Sequence, residues 1–309
     1  MQTIFITGST SMIGAALVSE CLKEGKTVYA MVRHNSPKIA RLPVHENLHL
    51  VEGYLDSLSS LPEKVPEKCG TFYHIAWGNT GARRNDSTEL QAINIQYTLD
   101  AVRAAKAMGC TRFIGAGSQA EYGPKNLDVI GPETETAPVN PYGASKLAAG
   151  LLAGMLCREI GMECIWPRIF STYGIYDKES SMISSSLRKM LNGEKTSFSP
   201  AEHRWDYLFS EDAGRAFYLM GEKGKDGSIY CIGSGQGRVL REFIEEMAAC
   251  CGVPVEGIGD IPYPASGRIR NLCADITNLT EDTGFVPQVS FKEGIARTVE
   301  WMRNERCYG

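Results

Sequence analysis

Apolar residues in the first half of the chain fall into short runs, separated by longer stretches with helical spacing. Residues 3–7 (TIFIT) read as an apolar strand, and 13–24 repeat apolar positions every three or four residues before stopping at Gly25. The same rhythm predicts strands over 27–32, 48–52, 71–76, 111–115 and 164–168, with helices over 87–108 and 145–160. After residue 171 the elements shorten. Helices are predicted over 182–191, 212–220 and 240–251, with Gly and Pro between them. Strands alternating with helices imply an α/β fold, a doubly wound parallel sheet with helices on both faces. The expected division is residues 1–170 for that sheet and 171–309 for a smaller mixed lobe folded onto its edge, with some chain exchange between the two. In such sheets ligands bind beyond the carboxyl ends of the strands.

Composition narrows the class without naming a chemistry. A chain of 309 residues, 43% hydrophobic and 22% charged, can bury a substantial globular core. The net charge of -4, with no basic stripe, argues against a nucleic-acid partner. No apolar run is long enough to span a membrane, and no signal peptide is expected because residue 3 already starts a strand. Ten cysteines are scattered through apolar segments without CxxC spacing, so reduced thiols and a cytoplasmic location are expected. No His, Cys and Asp cluster has ligand spacing, so no metal is expected.

Between the first strand and helix lies TGSTSMIG, residues 7–14. A dinucleotide loop needs a strand, a tight turn and a helix whose N-terminus faces a pyrophosphate. Gly8 stands where the chain must turn, and Gly14 where the helix must pack closely on the strand. Ser11 fills the slot usually held by a further glycine, and its hydroxyl adds a donor; Met12 and Ile13 complete the loop. An ordinary strand-to-helix turn has the same outline. After the second strand an acid would bind the ribose hydroxyls of NAD. Here Val32 is followed by Arg33, His34, Asn35 and Ser36. A guanidinium suits a ribose 2′-phosphate, which favours NADP over NAD, although a solvated surface arginine reads the same way.

The strongest chemical signal is YGASK, residues 142–146. Tyr142 and Lys146, four apart on a helix, lie on one face. An ammonium near the phenol favours phenolate and makes the tyrosine a usable general acid or base near neutral pH. That spacing alone is common by chance. Ser118 follows the fifth strand, however, and so lies at the carboxyl edge of the sheet, while Asn140-Pro141 marks the start of the helix. His74 reads as a strand-end packing residue.

With TGSTSMIG, HIAW (74–77), Asn94, SQAEYG (118–123), PYGASK (141–146), PRIFSTYG (167–174), WDYLFSEDAGRA (205–216) and ADITNLTEDTGFVP (274–287), the chain resembles an extended short-chain dehydrogenase/reductase of the NAD-dependent epimerase/dehydratase family. The resemblance spans almost the whole chain. It implies a Rossmann-type sheet, an oxidoreductase acting on nucleotide-linked sugars, and Ser118, Tyr142 and Lys146 as the catalytic triad. Lys146 and Tyr142 would also hold the nicotinamide ribose, with Gly8, Ser11, Met12, Ile13, Gly14, Arg33 and Ala76 around the cofactor. Ser118, Gln119, Ser171, Tyr173 and Arg204, with Arg268 or Arg270, would contact the substrate. Helices 87–108 and 145–160 would pair two copies into a homodimer. Departures from the family pattern are Ser11, the missing acid, Tyr54 near the adenine and Trp77 beside the ring site.

Within the family, 4,6-dehydratases place an Asp-Glu pair after the serine, whereas this chain has Gln119-Ala120, which disfavours dehydration. Arg33 places an NADPH-dependent 4-ketoreductase first. A nucleotide-sugar 4-epimerase is the alternative, and a non-catalytic NADP-binding sensor or scaffold the reading from outside enzymology.

Overall fold

A computed structural model of the chain describes residues 2–80, 85, 87–263 and 271–307. Its centre is a six-stranded parallel sheet. The strands are β1 (Thr3–Thr7), β2 (Thr27–Val32), β3 (Leu48–Glu52), β4 (Thr71–His74), β5 (Arg112–Gly115) and, after the short β6 (Gly117–Ser118), β7 (Glu163–Ile165). The order across the sheet is β3-β2-β1-β4-β5-β7. Side chains alternate across each strand, so β1 supplies both layers. Ile4 and Ile6 pack with α1 (Met12–Lys23), while Phe5 points to the other face. There Phe5 stacks on Phe72 at 5.0 Å and Phe72 on Phe113 at 5.8 Å, under α2 (Thr88–Ala107) and α3 (Pro141–Glu159).

The chain runs outward through β2 and β3, then crosses back to place β4 beside β1. This reversal opens a crevice at the carboxyl ends of β1 and β4, the place where such sheets bind ligands.

Three of the boundaries that differ from the sequence reading do so for a clear local reason. The strand expected over 71–76 stops at His74, because Ala76 N–H turns to the Thr7 hydroxyl at 3.3 Å. The helix expected from 145 starts at Pro141, capped by Asn140, whose Oδ1 accepts from Gly143 N–H at 2.8 Å. The strand expected over 164–168 divides at Trp166-Pro167. β7 stays in the main sheet, and β8 (Arg168–Ile169) pairs with β6 and with β12 (Cys231–Ile232) in a separate three-stranded sheet.

Beyond residue 170 lie β9 (Ser171–Tyr173), α4 (Met182–Leu191), β10 (Arg204–Trp205), β11 (Tyr207–Phe209), α5 (Ser210–Lys223), β13 (Arg238–Val239), α6 (Leu240–Cys251), β14 (Asn271–Leu272), α7 (Thr277–Thr283) and α8 (Phe291–Cys307). Helices α4, α6 and α8 close around an aromatic core containing Tyr173, Phe209, Phe243 and Phe291. Helix α5 returns to the main sheet, where Ala213, Ala216 and Phe217 pack with Leu17 and Val18 of α1. Gly214 permits that approach, since a Cβ there would lie 2.6 Å from the Ala16 carbonyl carbon. No helix among the described residues is long and apolar enough to cross a membrane.

Candidate active site

A cleft of about 650 Å³ opens over the carboxyl ends of the strands, a size ordinary for small-molecule sites. Its sheet-side wall carries Ser11, Met12, Ile13, Trp77, Ser118, Gln119, Tyr142 and Lys146. The opposite wall carries Ser171, Tyr176, Asp177, Lys178, Trp205 and Tyr207.

The loop after β1 is shaped by two glycines. Gly8 has φ +70, and a Cβ on it would lie 2.6 Å from Ala76 N. Gly14 lets the loop close on itself rather than on the strand, because a Cβ there would strike the Gly8 carbonyl oxygen. Ser11 caps α1, accepting from Gly14 N–H at 3.1 Å, and keeps its own hydroxyl proton as a donor. Met12 and Ile13 bring first-turn N–H groups to the cleft, where the helix dipole favours an anion. The cradle therefore fits the pyrophosphate of a dinucleotide.

Arg33 is exposed just past β2. Arg33 is not among the residues lining the cleft, whereas Lys38 and Arg41, which sequence reasoning missed, do line it. Burial and then the charges of Arg41 and Arg33 lower the Lys38 pKa, so the three cations act on one another. Three cations within nine residues after the second strand were the available signal. Tyr54 accepts from His34 N–H at 3.3 Å, and Glu52 Oε2 meets His34 Nδ1 at 2.8 Å.

Ser118 ends β6 and lines the cleft, its Oγ accepting from Ala120 N–H at 3.2 Å. Tyr142 and Lys146 project from the first turns of α3, with the Lys146 Nζ 5.9 Å from the Tyr142 ring centroid. Lys146 is only 3% exposed and donates to the Ala116 carbonyl at 2.5 Å. Its ammonium also lies 3.7 Å from the centre of the Trp77 ring, a close cation–π contact. Burial pulls its pKa down to about 7, opposed by the carboxylate of Glu121. Trp77 is fixed in turn, donating to Gln91 Oε1 at 2.9 Å and meeting the Tyr142 ring edge-on at 6.2 Å. Asn94, another residue singled out in the sequence, accepts from Gly78 N–H at 2.6 Å and so ties the loop after β4 to α2. His74 is buried against Thr7 Oγ1 at 2.9 Å, with its pKa driven down to about 3 by burial and then by Lys146, so it stays neutral.

On the far wall, Ser171 accepts from Trp205 Nε1–H at 2.8 Å. Tyr173 turns into the second core and donates to the Phe291 carbonyl at 3.1 Å. Arg204 is exposed, donates to the Gly237 carbonyl and is not among the residues lining the cleft. Arg268 and Arg270 lie outside the described residues.

Sheet order, glycine turn at the crossover and a Ser, Tyr and Lys set on one cleft wall define a dinucleotide-binding oxidoreductase of the short-chain dehydrogenase/reductase type. The chain belongs to the NAD dependent epimerase/dehydratase family, whose model matches residues 4–233. It is 27% identical to a UDP-glucose 4-epimerase of Mycolicibacterium smegmatis over 99% of both chains. It is 28% identical to a GDP-6-deoxy-D-mannose reductase of Pseudomonas aeruginosa over 95% of each. The solved UDP-glucose 4-epimerase of Thermotoga maritima, with UDP-glucose, superposes with a TM-score of 0.87 at 22% identity, covering 99% of this chain and 100% of that one. These relatives are enzymes that act on nucleotide sugars.

Proposed function

We propose that this chain is a nucleotide-sugar 4-ketoreductase that uses NADPH. The observation that carries the reading is the shared wall of Ser118, Tyr142 and Lys146 beside the dinucleotide loop. The bound nicotinamide would supply the hydride. Tyr142 gives its phenolic proton to the substrate oxygen, Ser118 donates a hydrogen bond to that oxygen, and Lys146 supports the phenolate left behind. Dehydration is disfavoured. Gln119 and Ala120 cannot shuttle protons, and the next acid, Glu121, is fully buried and bonded to Arg168 at 2.7 Å.

Epimerisation is the second reading, favoured by the full-length match to a UDP-glucose 4-epimerase. One assay pair separates the two. Stoichiometric loss of NADPH absorbance with a nucleotide-linked 4-keto-6-deoxy sugar supports the reductase. Interconversion of UDP-glucose without net cofactor consumption overturns it in favour of the epimerase.

The cofactor preference rests on the cations Arg33, Lys38 and Arg41. Arg33→Ala is expected to weaken NADPH binding by about 1–3 kcal/mol, the range for a charge-assisted contact, with NADH nearly unaffected. Equal losses for both cofactors, read by fluorescence titration, would refute the preference.

We further propose a homodimer built on α2 and α3. Leu90, Ile93, Leu151, Leu152 and Met155 stand exposed on these helices, an apolar patch suited to a second copy. Sedimentation should give a dimer at micromolar concentration, and Leu152→Glu combined with Met155→Glu should give a folded monomer. A wild-type chain that sediments only as monomer would count against this arrangement.

A further inference from the structure

Glu121 is a carboxylate three residues from Ser118 that the chemistry above leaves unused. It is fully buried. Oε1 accepts from Ser118 N–H at 2.8 Å and from Trp166 Nε1–H at 3.1 Å, and Oε2 accepts from Arg168 Nε–H at 2.7 Å. Ser118 and Glu121 form a reciprocal capping box around one short 3₁₀ turn, so the backbone of the serine and the carboxylate fix each other. Arg168 is 4% exposed, and its guanidinium carbon lies 4.5 Å from the Tyr122 ring centroid. Trp166 enters this space because its neighbours lack side chains. A Cβ on Gly117 would lie 2.6 Å from the indole Nε1 and 2.7 Å from Glu121 Oε1, and one on Gly150 would lie 2.5 Å from that Nε1. The register pairs Gly117 with Arg168 and Ser118 with Ile169, which sets the ion pair beside the segment carrying the serine. A buried ion pair is a poor source of stability, since apolar residues of similar volume often serve as well.

We propose that Glu121, held by Arg168 and Trp166, is a positioning residue that fixes Ser118 and whose negative charge supports the Lys146 ammonium. This rests on Ser118, Tyr142 and Lys146 being catalytic. Lys146 faces neutral His74 and Trp77 from the β4 side, Tyr142 from its own helix and the Ala116 carbonyl from the sheet. Glu121 is the carboxylate whose field acts on it, against the lowering by burial. Glu121 itself faces Arg168, Tyr122, Cys231 and Lys146.

Two double variants separate position from charge. E121Q/R168M keeps an acceptor for Ser118 and Trp166 but removes both charges, whereas E121V/R168M removes the acceptor as well. Both are expected to fold, E121Q/R168M because the charges go as a pair, and E121V/R168M with lower stability because the Ser118 and Trp166 N–H groups lose their acceptor. Assays use whichever of 4-keto reduction or UDP-glucose interconversion the wild type performs. E121Q/R168M should keep kcat on the acid side, with its alkaline limb moved to lower pH. E121V/R168M should show the same shift and a kcat lower by about 10-fold at every pH, for a displacement well under 1 Å. KM should stay near wild type in both. Hydrogen exchange at the Ser118 amide should speed up in E121V/R168M alone. Wild-type kcat and pH profile in both variants, beside an impaired Ser118→Ala, would overturn the positioning role only. Unfolding of both would overturn it too, since the pair would then serve stability. Full activity of Ser118→Ala would instead bring down the catalytic reading itself.

Discussion

Turnover by Tyr142→Phe should fall by about 10²–10⁴-fold, the range for loss of a positioned general acid. Phenylalanine keeps the ring that meets Trp77 edge-on, so the cleft wall should survive and only the exchangeable proton is lost. Cofactor affinity should therefore change little, because Tyr142 contributes one hydroxyl while the loop from Gly8 to Gly14 and the cations beyond β2 remain. Steady-state kinetics together with cofactor titration checks both halves. Near wild-type turnover would remove Tyr142 from the proton path and leave this mechanism without an acid, since His74 is neutral and sealed by burial. The epimerase reading makes the same demand on the tyrosine, so this result tests the chemistry independently of the substrate.

Lys146→Met is the second change with a large expected effect, and it differs in kind. Methionine keeps an unbranched apolar side chain beside Trp77 but brings no charge and no donor. Turnover should fall by about 10²–10⁴-fold, because the phenolate loses the ammonium beside it. Cofactor affinity should fall as well, by about 1.5–3 kcal/mol for a lost charged hydrogen bond, a loss that Tyr142→Phe does not share. Stability should move the other way. Burial lowers the Lys146 pKa from 10.5 to about 7. Between those values the unfolded chain holds a proton that the folded chain has released, so wild-type stability rises with pH across the window. The penalty for burying the ammonium is complete only below the folded value. Lys146→Met removes it, so the variant should melt above wild type by the widest margin near about pH 6, with the margin fading toward about pH 10. A variant that melts below wild type at both ends would show that the Ala116 hydrogen bond outweighs the burial of charge.

On the proposed mechanism, Lys146 serves the chemistry at a place where burial opposes its charge. Active sites hold groups whose environments move their proton affinities toward the working pH, and stability is lost in the process. Trp77 and Glu121 act on the same ammonium from two sides, one through its ring and one through its charge.

Much of this molecule was legible along the chain because its signals are local. Apolar runs and helical spacing reveal β1, β2, β3, α1, α4 and α6 within a residue or so, since each element must bury a face that its own neighbours define. Gly8 and Gly14 announce a tight loop by lacking side chains, and Tyr142 and Lys146 share a face by spacing alone. The remainder depended on groups far apart in sequence meeting in space. Trp166 and Pro167 break a strand because the indole finds a slot between Gly117 and Gly150. Glu121, unremarkable in SQAEYG, becomes a buried acceptor only when Arg168 arrives from 47 residues away. The family resemblance makes Arg204 a substrate contact, yet the pairing of β10 with β13 and β14 leaves it exposed, donating to the Gly237 carbonyl, while Trp205 lines the cleft. Periodicity and motif spacing decide which elements form and which residue types are available. Burial, and the charges it forces together, are decided by packing between distant segments, and only the tertiary structure contains that information.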